Sequence, residues 1–218
     1  VLVGDPIPGD RRQAPIPPEF LIGYVKGTVL CAAQNKGHVH GACHSTPFKV
    51  VLLVMFHNDS PPLASVYSSE SDTWGDVISA KAPCPIYSGG YLSTLVGNAF
   101  YWPLMHANDG ILEFDLDRQT LGVISAPPPA HRDSVSSSAC LVLHADGGGL
   151  GFLFVSGYQA QLWNMKTYLY NGAASWVLER TIQLEKLLSV NPEKEKVMIL
   201  GFAENNNVVL VETVIGVF

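Results

Sequence analysis

Hydrophobic and polar residues alternate in short bursts along this chain, and each burst ends in turn-forming residues. The clearest burst is Ile111-Leu112-Glu113-Phe114-Asp115-Leu116-Asp117. A period of two is the signature of a β-strand, whose successive side chains point to opposite faces. Ile111, Glu113, Asp115 and Asp117 share one face, and Leu112, Phe114 and Leu116 the other. The three carboxylates predict that the first face is solvated. Before this strand, Leu95 to Trp102 reads as an aromatic-rich strand, and His106-Ala107-Asn108-Asp109-Gly110 reads as a turn. Asn, Asp and Gly tolerate the left-handed backbone of tight hairpins. After it, Asp117-Arg118-Gln119-Thr120 breaks the pattern and Leu121 to Ile124 starts another strand. Tyr91 to Pro128 is therefore expected to be one antiparallel meander, and the rest of the chain looks like looser copies of it.

Those copies follow in order. Strands are predicted around Val29 to Ala33, over Phe48 to Phe56, and over Ala64 to Ser68 with a hairpin loop leading to Trp74. Phe48 to Phe56 is a continuous apolar run rich in β-branched residues, which favours a strand buried on both faces. Further strands are predicted over Ala139 to His144, Gly151 to Ser156, Gln161 to Leu169, Trp176 to Ile182, Val197 to Phe202 and Val208 to Thr213, and Val214 to Phe218 reads as one more. Gln183 to Ser189 is the one stretch with a helical turn, placing Leu184, Leu187 and Leu188 on one side. Aligning Arg12, Trp74, Leu121 and Trp176 superimposes four strand–turn–strand units at irregular intervals of roughly 45 to 60 residues. Propeller blades recur at about 40 to 50 residues. The expected fold is all-β, with β-propeller-like antiparallel blades and a ring that is incomplete. Residues 1–218 are read as a single domain. In that alignment Trp74 and Trp176 should be largely buried between neighbouring sheets.

Composition narrows the function. Of 218 residues, 47% are apolar and 15% charged, which fits a globular core. A net charge of −6 argues against a nucleic-acid partner, whose phosphates need a basic face. No basic run suits a membrane surface, and the longest apolar run, Val50 to Phe56, is too short for a membrane helix. Val1-Leu2-Val3 is followed at once by Gly4-Asp5-Pro6, so no leader is expected. Cys31, Cys43, Cys84 and Cys140 are too dispersed for a disulfide scaffold and read as reduced thiols in an intracellular protein.

Candidate chemistry is sparse. His38, His40, Cys43 and His44 form the densest set of metal-type ligands, but all four crowd one loop without a second close pair, so a polar insertion loop is the expected reading. Asp146-Gly147-Gly148-Gly149 lacks the Lys-Ser/Thr of a phosphate loop and reads as a hairpin turn. Neither Val155-Ser156-Gly157 nor Ser88-Gly89-Gly90 makes a nucleophile elbow. No catalytic residue, metal ligand or cofactor site is expected. His38, His40, His44, His106 and Asn108 remain as loop residues suited to binding another protein. Two classes of function stay open: a protein-binding module, and a small-molecule- or glycan-binding or enzymatic propeller. The loops are mostly Ser, Gly, Pro and Asn rather than convergent acids and bases, which favours the first.

The order of several short motifs carries a resemblance. They are Asp5-Pro6 with Gly9-Asp10-Arg11-Arg12, Val29-Leu30-Cys31-Ala32-Ala33, and His38-Val39-His40-Gly41 through Pro47-Phe48-Lys49-Val50-Val51. Val66 to Glu70 before Trp74, Leu95 to Ala99 before Tyr101-Trp102, and Ile111 to Asp117 follow, then Gln161-Leu162-Trp163, Trp176-Val177-Leu178 and Ile215 to Phe218. In this order the chain resembles the C-terminal kelch-type, F-box-associated propeller region of plant F-box proteins of the large grass families. The resemblance implies the substrate-recognition part of an SCF-type ubiquitin ligase receptor, acting in the cytoplasm or nucleus. It implies a target protein as partner, and a Skp-type adaptor and cullin only where an F-box lies upstream. No F-box pattern precedes Val1, so the chain is read as a fragment or as a product without an adaptor-binding half.

Overall fold

The computed structural model describes residues 1–5, 7, 9–33, 43, 47–56, 60–81, 93–104, 110–128, 138–145, 147–167, 173–188, 197–203 and 208–218. Within these the chain is a succession of antiparallel sheets, which gives it the all-β, propeller-like class expected of it. Two compact units are distinguished, one of Val1–Ser88 with Gln119–Gly122, the other of Gly89–Arg118 with Val123–Phe218.

The first unit opens with a two-stranded sheet of β1 (Leu2–Gly4) and β2 (Arg11–Gln13). A five-stranded sheet follows: β3 (Tyr24–Cys31), β4 (Phe48–Met55), β5 (Leu63–Ser68), then β6 (Thr73–Trp74) and β7 (Ile78–Ser79), which both pair with β5. The apolar run of β4 is its central strand. Val51, Leu53 and Val54 are fully buried there, as a run without polar alternation requires. Phe20, Val50, Leu52, Val54 and Tyr67 form the core, with Val1, Val3 and Trp74 packed on it.

The second unit stacks three meanders. The first contains β8 (Thr94–Val96), β9 (Ala99–Pro103), β10 (Gly110–Asp115) and β11 (Thr120–Ser125), whose first three residues are counted with the first unit, in spatial order β11-β10-β9-β8. Next come β12 (Ser138–His144), β13 (Leu150–Ser156), β14 (Gln159–Thr167) and β15 (Ala174–Gln183), neighbours in sequence order. Helix α1 (Leu184–Leu188) leads on to β16 (Met198–Ala203), β17 (Val208–Thr213) and β18 (Gly216–Val217). The β12–β13 turn is made by Gly147 and Gly148, at φ of 88° and 86°, a backbone that side chains disfavour. Val96, Ile111, Val142, Phe152 and Phe154 join the first two meanders, and the Thr94 hydroxyl donates to the Val142 carbonyl at 2.6 Å. Leu141, Leu153, Val155, Leu184 and Val197 join the second and third.

Four expectations need correcting. Leu95 to Trp102 is not one strand but a hairpin, β8 and β9 turning at Gly97, whose φ of 61° suits a tight turn. The β10 face that carries Glu113 is not a solvated face: Ile111 is fully buried against the next meander, and Glu113 and Asp115 are only partly exposed. One face of a strand can be apolar at one end and polar at the other when the neighbouring sheet covers only part of it. Trp74 and Trp176 are half-buried rather than largely buried, because each lies on the outer strand of its sheet. Val214 to Phe218 is a turn and a short return strand, where the Ile215 N–H donates to the Thr213 hydroxyl and Phe218 pairs with Val211.

Candidate functional site

The residues singled out for protein binding, His38, His40, His44, His106 and Asn108, lie outside the described residues. Cys43 between them is partly buried. Among the described residues, no group of three or more His, Cys, Asp or Glu side chains is placed to hold a metal ion. No described helix is long and apolar enough to cross a membrane.

The acidic hairpin is locally engaged. The Asp115 carboxylate accepts the Asp117 and Arg118 N–H groups at 2.9 and 2.8 Å and so fastens the β10–β11 turn. Glu113 accepts the Tyr101 hydroxyl at 2.7 Å. Burial, reinforced by the Glu113 carboxylate, holds the Tyr101 phenol far above its ordinary pKa, so it stays neutral and donates.

The last meander has an inner and an outer face. Ile199, Phe202, Val209 and Val211 turn inward against the preceding sheet. The register of β16, β17 and β18 puts Met198, Glu212 and Val217 side by side, with Leu210 and Val208 further along the same outer face. Met198 is 56% exposed, Leu210 42%, Val208 44% and Val217 59%. A bulge between Ile199 and Gly201 adds Leu200, also exposed, to this surface. Apolar side chains normally reserved for a core thus stand in water, with one carboxylate among them. A contiguous surface of this kind is typical of sites where another protein docks.

Between the second and third meanders lies a cavity of about 370 Å³. Its walls include Leu153, Val155, Ala160 and Leu188. Asn164 of β14 lines it and is 5% exposed. The Asn164 amide donates from Nδ2 to Glu179 Oε2. Its Oδ1 has no hydrogen-bond partner. Rotating the amide by half a turn would set two acceptors against each other, so Oδ1 is the orphan. Glu179 reaches this spot because the β14–β15 register slips between Leu162 and Trp163. Leu162 pairs with Arg180 but Trp163 with Leu178, leaving Glu179 as the extra residue of a bulge. Glu179 and Arg180 both line the cavity as a result. Gly151, opposite Asn164, has no side chain, and Leu143 leans over it: a Cβ there would stand 2.5 Å from Leu143 Cδ1.

Compared with family models, curated proteins and solved structures, the chain matches none. The site therefore has to be read from its own geometry. The cavity and the outer face were not anticipated from the sequence. Asn164 had one signal, an amide that continues the inward series of Ala160 and Leu162. Glu179-Arg180 had another, two adjacent charges that follow directly on the apolar run Trp176-Val177-Leu178.

Proposed function

We propose that this chain is a protein-binding module that recruits a target and catalyses nothing itself, the substrate-recognition part of an SCF-type ubiquitin ligase receptor of the cytoplasm or nucleus. The observation that carries the proposal is the outer face of β16–β18, where Met198, Val208, Leu210 and Val217 are exposed together around Glu212. Burying such a face against a partner removes apolar area from water, worth about 25 cal/mol per Å² before the costs of association. The single carboxylate, Glu212, favours a partner that offers an apolar patch with a basic residue. The blade-like meanders, and the resemblance of the order of short motifs to that of plant F-box proteins, support the same assignment. In that arrangement adaptor and cullin are engaged by an F-box and not by these sheets.

The test fuses an F-box module to Val1, reconstitutes the fusion with Skp-type adaptor, cullin and ubiquitin-charging enzymes, and identifies the modified proteins. A defined set should be modified by the fusion, and Leu210→Lys should abolish it while the melting temperature stays within a few degrees. Targets that persist with Leu210→Lys, or binding of the adaptor by the chain without the F-box, would sink the assignment.

A further inference from the structure

We infer that the cavity between the second and third meanders is a binding site for a small apolar ring compound carrying one N–H or O–H donor. The site differs from the outer face of β16–β18 and stands independently of the ligase assignment.

Two observations point to a ligand. The first is size and lining: about 370 Å³, walled largely by aliphatic side chains, with Glu179 and Arg180 among the lining residues. Pockets of roughly 300 to 1,000 Å³ with apolar walls and a few polar groups are the usual form of small-molecule sites. The second is the orphaned Asn164 Oδ1, on a side chain 95% buried and lining that space. A buried acceptor without a donor is costly, and such groups in native folds are normally satisfied. The Asn164 Nδ2 is already committed to Glu179, which fixes the amide. What Asn164 Oδ1 lacks is a donor, and what the cavity offers is apolar room around that acceptor. The Glu179 bulge adds a reason to regard the arrangement as built: without the register slip the carboxylate would leave this face and the amide would lose its orientation.

The chemistry predicts a preference that shape alone does not. Indole and benzofuran have nearly the same outline, but indole presents an N–H where benzofuran presents an ether oxygen. A hydrogen bond to Asn164 Oδ1 should favour indole about tenfold, since a neutral hydrogen bond in a buried site is worth about that factor. The oxygen of benzofuran would face a second acceptor.

The experiment titrates the full 218-residue chain with indole and with benzofuran, following heat and the side-chain amide resonance of Asn164. Indole should bind roughly tenfold tighter and shift that resonance. Asn164→Leu should reduce the preference to about twofold or less while apolar binding persists. Ala160→Phe should block both compounds by filling the space, and Leu188→Trp does the same from α1 if the first variant misfolds. Equal binding of the two compounds, binding of neither, or a preference that survives Asn164→Leu each overturns the inference.

Discussion

Trp74 in the first unit and Trp176 in the second hold the same place in their sheets, yet are braced by opposite means. Each sits on the outer strand of a sheet, β6 or β15, and sends its indole N–H back to a carbonyl just past or at the end of the preceding sheet's outer strand, β2 or β11. For Trp74 the acceptor is Pro15 at 2.6 Å, and for Trp176 it is Ser125 at 2.7 Å. Each ring rests on a buried aromatic, Tyr67 at 5.4 Å and Phe152 at 6.0 Å between centroids. There the likeness stops. Tyr67 is fully buried and its hydroxyl donates to Asp72, which sits in a tight turn at φ 56°. Nearby, Arg12 Nη1 donates to the Ser69 carbonyl at 2.5 Å and the guanidinium lies 5.9 Å from the Phe48 ring. Phe152 has no polar atom and is packed in an apolar cluster. One clasp depends on every donor finding its acceptor, the other on filling space. The N–H to carbonyl link is the shared element, so it sets the geometry, and the brace beneath can vary.

The sharpest way to break this comparison is to remove the braces. Phe152→Ala and Tyr67→Ala should each cost about 3–5 kcal/mol in a chemical melt, as for other buried aromatic truncations. A loss under about 1 kcal/mol for either would show that its ring is not what the tryptophan rests on. Truncating the tryptophans comes next. Both rings are half-buried, so Trp74→Ala and Trp176→Ala should fall below the full-burial value, at about 2–3 kcal/mol, and close to each other. A large disparity between them would end the equivalence.

Exchanging the braces sharpens the contrast. Phe152→Tyr puts a hydroxyl into an apolar cluster, and should cost about 1–3 kcal/mol. Tyr67→Phe leaves Asp72 exposed to water and should cost only about 0.5–1.5 kcal/mol. Reversal of that order in urea melts would contradict the polar and apolar assignments. The mildest difference is in pH. The hydrogen bond to Asp72, then burial, raise the Tyr67 pKa, so folding favours the neutral phenol. The stabilisation is complete below the ordinary value of about 10 and is lost as pH rises through the higher folded value. Tyr67→Phe should remove part of the alkaline loss of stability and leave the Phe152 clasp untouched. An unchanged alkaline profile would show that Tyr67 is not the group involved. Tyr101, raised by burial and Glu113, gives the second unit its own alkaline step, which Tyr101→Phe would isolate.

What was legible in the sequence is what neighbours along the chain decide. Alternation and turn chemistry located most of the strands, and Leu184, Leu187 and Leu188 marked the short helix α1. The alignment of Arg12, Trp74, Leu121 and Trp176 was sound in one respect: all four fall on the outer strands, β2, β6, β11 and β15. The losses came where a distant sheet decides. Ile111 is buried because the next meander reaches it and leaves Asp115 half in water, which no local pattern encodes. The cavity depends on a slip between two strands paired over some fifteen residues of chain. The outer face of β16–β18 looks from the sequence like any other alternating hairpin, since a core face and a docking face share one composition.

The bulge at Glu179 also bears on solubility. β15 is ten residues long and outermost in its sheet. A flat outer strand of that length is a template on which another chain can add a ladder of hydrogen bonds. The extra residue kinks the template, increases its local twist and sets Glu179 and Arg180 in succession at its midpoint. A chain trying to extend the sheet meets two charges and a changed register after only a few pairs. Deleting Glu179 would restore an unbroken strand register and also remove this protection, leaving a straight edge along which molecules could associate into fibres.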